Sequence, residues 1–271
     1  MSKQSSVGKR ITNKENPKKT YTSRLQKGGA LLEDMRFLVR EWEEGSNDEQ
    51  RQRLIVENVL GKKTRARASD VYTRAFSQRF IKGDPQEAWK ILRPLEDREV
   101  DLEILRPVYY WITARSEPLL YDFVSEEIIA RSGNLDLSVR VDETSQWIKN
   151  RLLIQDQTWT DTVALKVSRG LLAALRDFGI LEGASKKKIA PVYLPVESFA
   201  YIAFNLHTLG NSSERLVTHP DWRLFLMQPF VVERLFLDAH QNRLLHYEAA
   251  GKIYRIEFPA KKVEEMADVI S

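Results

Sequence analysis

Residues 160–195 have the sequence TDTVALKVSRGLLAALRDFGILEGASKKKIAPVYLP, and this stretch decides the fold of the C-terminal part. Apolar side chains recur at three- and four-residue intervals, which predicts an amphipathic helix over 160–178 that Gly179 ends. Two short β-prone runs, Ile180–Leu181 and Ile189–Leu194, then surround a turn with Gly183 and three lysines. With a shorter helix predicted near 143–153, the order is helix, helix, β-hairpin, as in a winged helix-turn-helix.

Upstream of residue 135 the apolar spacing predicts helices only. Their predicted starts are marked by the capping-box pair Ser46 and Glu49 and by the run Asp84-Pro85-Gln86-Glu87. Gly61 is predicted to end the helix that opens at Ser46. The predicted helices begin near residues 31, 46, 67, 84, 101 and 116.

These patterns predict a mainly α protein in three stretches. Residues 1–24, rich in Ser, Thr, Lys and Asn, are expected to be a disordered basic arm. Residues 25–134 are expected to form a helical bundle with a helix-turn-helix-like pair. Residues 135–271 are expected to form a winged-helix-like part with short β-hairpins. The second of these hairpins alternates its side chains around Gly251–Lys252, after a helix near 229–240.

Composition excludes several functional classes. The chain has no cysteine, which excludes disulfides, thiolate metal sites and cysteine nucleophiles. Its four histidines form no metal-binding or catalytic spacing, and no phosphate-binding or nucleophile motif occurs, so we expect no enzyme, cofactor or metal site. The first residues contain no apolar signal region and no later run could span a membrane, so we expect a cytoplasmic protein. The patterns specify no oligomeric state.

Positive charge is concentrated in two segments, although the net charge is only +4. Residues 1–28 carry eight Lys and Arg against Glu15, and residues 61–82 carry seven against Asp70. The remainder of the chain is therefore acidic. Such a distribution directs a polyanion to particular faces rather than to the whole molecule.

The first candidate nucleic-acid-binding segment is Gly61–Lys82. A helix, a turn and an arginine-bearing helix are the parts of a helix-turn-helix, in which the second helix enters the major groove. Arginine can bind guanine edges or phosphate, and glutamine can bind adenine. The alternative is a solvated face on an ordinary bundle helix. The candidate contacts are Lys62, Lys63, Arg65, Arg67, Arg74 and Gln78.

The second candidate combines the 160–178 helix with the hairpin that follows it. Three helical cations fall on one arc away from the apolar side, and a lysine triplet at the hairpin tip could reach phosphate beside the same groove. The alternative is a solubilising loop on a hairpin that packs against a protein partner. These candidates are Lys166, Arg169, Arg176, Lys186, Lys187 and Lys188. The basic arm could add phosphate contacts that carry little sequence information.

The whole run of elements resembles one known family. The similarity lies in LLEDMRFLVREW (31–42), VENVLGKKTRARASDVYTRAFSQRF (56–80), LLYDFVSEEII (119–129), SRGLLAALRDFGILEG (168–183) and HPDWRLFLMQPFVVERLFLDA (219–239) with AGKIYRIEF (250–258). Over roughly residues 24–260 the chain resembles the BrxA family of the BREX bacteriophage-exclusion systems.

The resemblance implies a helical accessory protein in a system that methylates host DNA and blocks phage replication. Members are thought to bind DNA and have been compared with the RNA-binding factor NusB; they are not the methyltransferase. We therefore expect a non-catalytic protein that binds double-stranded DNA alongside other BREX defence proteins. The alternatives are an assembly adaptor without nucleic-acid contact, and NusB-like RNA binding.

Overall fold

The computed structural model describes residues 20–45 and 47–271. Over these residues the protein is mainly helical, with two small antiparallel sheets towards the C-terminus, as the sequence predicts. No helix in the described part of the chain has the length and apolar character needed to cross a bilayer. The predicted cap at Ser46 lies outside the described residues.

Within the described residues, the N-terminal half is built from helices only. Two of its longer helices contain wider, π-helical turns, at Val71–Ile81 after α3 and at Phe123–Ile128 between α6 and α7. A 3₁₀ turn at Ser23–Gln26 precedes the first α-helix. The α-helices are α1 (Leu32–Glu41), α2 (Asn47–Val56), α3 (Arg65–Asp70), α4 (Trp89–Asp97), α5 (Leu102–Ser116), α6 (Pro118–Asp122) and α7 (Ile129–Arg131).

The C-terminal half adds the strands. The first sheet has the order β1–β3–β2 and the second pairs β4 with β5, all antiparallel. A 3₁₀ helix occupies Pro220–Phe225. The elements are β1 (Ser138–Val139), α8 (Val141–Ile154), α9 (Asp161–Asp177), β2 (Leu181–Glu182), β3 (Lys187–Ile189), α10 (Val196–Thr208), α11 (Ser213–Val217), α12 (Pro229–Gln241), β4 (His246–Ala250), β5 (Ile253–Glu257) and α13 (Val263–Ile270).

Local patterns located α8, α9, α12 and the second hairpin correctly. Three predicted boundaries are wrong. The helix predicted to open at Asp84 begins at Trp89, because Glu87 has a left-handed φ of 53° that a helix cannot contain. The helix predicted to reach Gly61 ends at Val56, and Asn58 instead forms a turn through side-chain hydrogen bonds with the Lys62 backbone.

The strand predicted over Ile189–Leu194 is also wrong. It lies earlier, at Lys187–Ile189, where it pairs with both β1 and β2. Beyond Ile189 the Ala190 N–H still donates to the Ile180 carbonyl (3.0 Å), but Pro191 follows at once and has no backbone N–H to donate to a ladder.

Residues 20–29 form a segment that we call the N-terminal strap, and its structure shows that the prediction of a disordered arm is wrong for residues 20–24. Most of that arm lies outside the described residues. Its last five residues, 20–24, are packed onto the body rather than disordered, since Tyr21 is buried and Arg24 is bonded to the core. The strap continues through Leu25, which is only 1% exposed.

Buried apolar side chains form one continuous cluster that runs from Tyr21 to Ile270. Tyr109, Tyr110 and Trp111 all lie within it, as expected for consecutive aromatic residues on a core helix. Side chains from both sides of residue 135 belong to this cluster. The division into domains at that residue stays a prediction.

Candidate nucleic-acid surface

The N-terminal strap passes between the two helices that carry the predicted contacts. A side-chain carbon at Gly28 would lie 3.5 Å from the Cβ of Ala75 on the Val71–Ile81 helix. A side-chain carbon at Gly170 of α9 would lie only 2.0 Å from the backbone oxygen of Leu25. The strap therefore fixes these two helices relative to each other.

Helix α9 has a buried face and an exposed cationic face. Thr160 begins it by accepting a hydrogen bond from the backbone N–H of Val163. Its buried side chains, including Val167, Leu171 and Leu175, pack into the core next to α8. Lys166, Arg169 and Arg176 are all exposed, on the arc that the sequence predicts.

The first hairpin begins beside α9, which its strand β2 contacts, and its lysines lie at the turn and in β3. Gly183 has a φ of 91°, and any side chain there would meet the backbone oxygen of Lys186 at 2.1 Å, so the tight turn requires glycine. Lys186 is exposed at this turn. The Lys187 ammonium donates to the Ala184 carbonyl (2.9 Å), and Lys188 forms a 2.8 Å ion pair with Glu182 across the strands.

The cations of this surface divide into two groups. Within the described chain, Lys166, Arg169 and Lys186 have no hydrogen-bond or ion-pair acceptor. Arg176 and Lys188 have exposed partners, Asp177 at 2.7 Å and Glu182. Exposed ion pairs are worth at most about 1 kcal/mol, so a phosphate can replace either carboxylate at small cost.

Arg140 adds a cation that the sequence did not reveal. Strand β1 pairs Val139 with Lys187, so the next residue, Arg140, follows on the side of Lys186. Arg140 is exposed. The pairing of a two-residue strand with a hairpin about 50 residues later leaves no pattern in the sequence, which is why this residue was missed.

The first predicted surface, by contrast, is largely occupied by protein partners. Lys62 pairs with Asp34 (2.6 Å) and Arg74 with Asp70 (2.8 Å), although Arg74 is exposed, so a phosphate could displace its carboxylate as it could at Arg176. Hydrogen bonds from Lys27 and Arg74 lower the pKa of Asp70. The other two occupied side chains contact the strap: Arg67 donates to the Lys27 carbonyl, and Gln78 accepts from Arg24 (2.8 Å).

Only Lys63 and Arg65 of the first candidate set are exposed without an acceptor in the described chain. The face predicted for base contacts therefore holds the strap in place. Its role in nucleic-acid binding stays a prediction.

Arg79, one of the seven cations counted in residues 61–82, is completely buried. It donates to Glu117 (2.9 Å) and to the carbonyls of Gly28 and Gly29, so it ties the strap to the start of α6. Arg24 contacts the second oxygen of Glu117 at 3.3 Å. A buried ion pair with these extra hydrogen bonds organises structure, and its charge is not available to a ligand.

A second buried carboxylate, Asp221, is surrounded by donors. It accepts from Trp111 (2.7 Å), Arg115 (2.7 Å) and Tyr121 (2.9 Å). Glu96 likewise accepts from Arg36 and Tyr109, each at 2.9 Å. Across the described ranges, no group of three or more His, Asp or Glu side chains is arranged to hold a metal ion.

Comparison with known proteins decides the family. The family model described as BrxA matches residues 19–206, more than half of the chain. The chain belongs to the BrxA family. This membership, which the sequence resemblance anticipated, implies a component of a BREX phage-defence system. The match ends within α10, so α11 to α13 and the second hairpin of this BrxA-family chain lie beyond it.

A solved structure shares the fold. It is the crystal structure of an uncharacterized protein from Magnetospirillum magneticum, with a TM-score of 0.55 and 18% identity. The similarity covers 76% of this chain and 97% of the other. No curated protein matches the sequence significantly.

Proposed function

We propose that this BrxA-family protein binds double-stranded DNA as a non-catalytic component of BREX defence, through α9 and the first hairpin. The single observation that carries the proposal is the exposed cationic face of α9, next to a hairpin with a lysine at its turn. Two separate elements supply phosphate-binding charge there, with three cations free of protein acceptors in the described chain.

The connection of these elements supports a winged-helix interpretation. Along the chain the elements follow in the order β1, α8, α9, β2, β3, and in the sheet the strands have the order β1–β3–β2. A pair of helices therefore accompanies a small sheet, and the hairpin of that sheet directly follows the second helix. In helix-turn-helix proteins the second helix of such a pair enters the major groove. Lys166 and Arg169 would then contact phosphates along the groove that α9 enters, and Lys186 would contact phosphate at its edge.

The surface carries more features for backbone contact than for base recognition. Its exposed groups are lysine and arginine cations, which bind phosphate without regard to sequence. We therefore propose binding with little intrinsic sequence preference, in the bacterial cytoplasm where the genome lies. Other BREX proteins would supply any target selection and the catalytic steps.

The buried carboxylates support the non-catalytic part of the proposal. Glu117, Asp221 and Glu96 each accept hydrogen bonds from arginine, tyrosine or tryptophan donors inside the core. Such saturated groups stabilise a fold, whereas a general acid or base must reach a substrate atom.

Fluorescence anisotropy tests the proposal with labelled duplex DNA, an RNA of the same sequence and length, and several salt concentrations. DNA binding predicts that log K falls with log salt by about 0.9 for each phosphate neutralised. Replacement of Lys186, Lys187 and Lys188 by Glu should reduce that slope. Tighter binding to RNA would favour the NusB-like alternative. No binding to either at low salt would favour a protein–protein adaptor.

A further inference from the structure

A groove lies between α5 and the extended segment that follows β3, at the point where α9 ends. Its volume is about 400 Å³, within the range of ligand sites. The aromatic rings of Tyr110, Phe178 and Phe225 line it. Tyr110 lies 5.3 Å from Phe178 and 5.5 Å from Phe225, centre to centre, and its hydroxyl donates to the Leu224 carbonyl. The aromatic part of the groove is therefore preformed.

One side of the groove carries an arginine that makes no ion pair within the described part of the chain. The Nε atom of Arg106 is buried, and it has no acceptor in the described part of the chain. Its guanidinium group makes no ion pair there either. Arg106 is half-buried in the groove lining, and an anionic oxygen in the groove would give its guanidinium cation a partner. Glu103, the carboxylate in the groove lining, is exposed and so is screened by water.

Another part of the lining carries an exposed aromatic ring. Tyr193 is 71% exposed although it belongs to the groove. It lies between Pro191 and Pro195, whose fixed backbone angles restrict the segment and so hold the ring at little entropic cost. An exposed, restrained ring of this kind offers a stacking surface to a planar group.

An arginine without an ion-pair partner and an exposed aromatic ring on one groove suit the two parts of a nucleotide, its phosphate and its base. A base paired inside a duplex is already stacked and cannot enter, so the nucleotide must be unpaired. The groove begins where the proposed DNA surface ends along α9, because its Phe178 and Gly179 directly follow Arg176 and Asp177.

We propose that this groove binds one unpaired nucleotide at the edge of the duplex, with its phosphate at Arg106 and its base against Tyr193. The proposal rests on the proposed function, since the duplex on α9 would bring the unpaired strand to the groove. It assigns to the protein a preference for duplexes with a single-stranded extension or an opened end.

The test measures the affinity of the full chain for a blunt duplex and for the same duplex with a short single-stranded thymidine extension. The extension should tighten binding at least about fivefold, the lower range for one base stacked on an aromatic side chain. Tyr193→Ala should remove this gain and leave the blunt duplex unaffected, whereas Tyr193→Phe should retain it. Arg106→Gln should lower the salt slope by about 0.7 on the extended duplex only.

Phe230→Ala provides the matched control, because Phe230 is 73% exposed on α12, away from the groove lining. It should keep the full gain from the extension. Equal affinity of the wild-type protein for blunt and extended duplexes would overturn the inference, as would a gain that survives both Tyr193→Ala and Arg106→Gln. Either result leaves blunt-duplex binding through α9 intact. Loss of the proposed function would instead appear as no binding to the blunt duplex.

Discussion

Alanine at Gly170 should destabilise the protein, although glycine-to-alanine changes within helices normally stabilise by about 1 kcal/mol. Gly170 lies in the middle of α9, and the strap crosses it there. The added carbon would lie 2.0 Å from the oxygen and 2.7 Å from the carbon of the Leu25 carbonyl. Both atoms belong to the backbone, so no side-chain rotation can relieve the contact.

The loss of stability in Gly170→Ala depends on which part of the structure moves to make room for the added carbon. Overpacking of this kind costs typically about 1–3 kcal/mol when the structure shifts to absorb it. If the strap is displaced, Leu25 loses a burial worth roughly 1.5–3 kcal/mol, and Arg79 loses its acceptors at Gly28 and Gly29. After the helix-propensity gain of about 1 kcal/mol is subtracted from either cost, we expect a net loss of up to about 2 kcal/mol in the free energy of unfolding.

Urea denaturation of the wild type and Gly170→Ala measures this difference. Gly133→Ala is the matched control, because a side chain there would meet nothing within 4 Å. The control should be neutral or slightly stabilising, by up to about 1 kcal/mol, since it only reduces the freedom of the unfolded chain. A Gly170→Ala protein as stable as the control would refute the proposed packing of the strap on α9.

Two further predictions concern the buried polar groups. Glu117→Gln should lower stability by about 3–5 kcal/mol in urea denaturation, because it leaves the buried Arg79 cation without its carboxylate. The control, Glu57→Gln in the exposed Arg53–Glu57 pair, should cost at most about 1 kcal/mol. Equal costs for the two variants would contradict the buried role of Arg79. Burial lowers the pKa of His219 in the folded protein below the value of about 6.5 that it has in the unfolded chain. Between these two pKa values the unfolded chain binds a proton that the folded chain does not. Stability should therefore fall as the pH decreases through this window. His219→Asn, which keeps a cap acceptor for the Asp221 N–H, should lose that part of the pH dependence, and an unchanged profile would exclude His219 as its source.

The sequence predicted those elements whose pattern is local. The apolar period of α9, its end at Gly179 and the alternation around Gly251 each depend on neighbouring residues, and the structure has them where they were expected. The exposed arc of Lys166, Arg169 and Arg176 follows directly from the same helical period.

The remaining features depend on contacts between distant residues. Arg79 has the same sequence context as the exposed arginines around it, yet it is buried and pairs with Glu117, which lies 38 residues away in the sequence. Residues 20–24 of the strap are mostly polar and are predicted to belong to the arm, because Tyr21 alone cannot form a recognisable apolar period. Gly170 resembled an ordinary weak helix position, since the crossing by Leu25 is invisible without the fold.

The most direct test of the central claim compares two charge reversals of equal size. Lys166→Glu/Arg169→Glu alters α9, and Lys63→Glu/Arg65→Glu alters the two accessible cations of the first basic segment. Anisotropy titrations with duplex DNA at several salt concentrations give the affinity and the salt slope of each variant. We predict that the α9 variant binds more weakly and that its slope falls by about 1.8, as expected for two lost phosphate contacts, while the other variant stays close to wild type. Equal losses in both variants, or a loss only in Lys63→Glu/Arg65→Glu, would contradict the assignment of DNA binding to α9 and its hairpin.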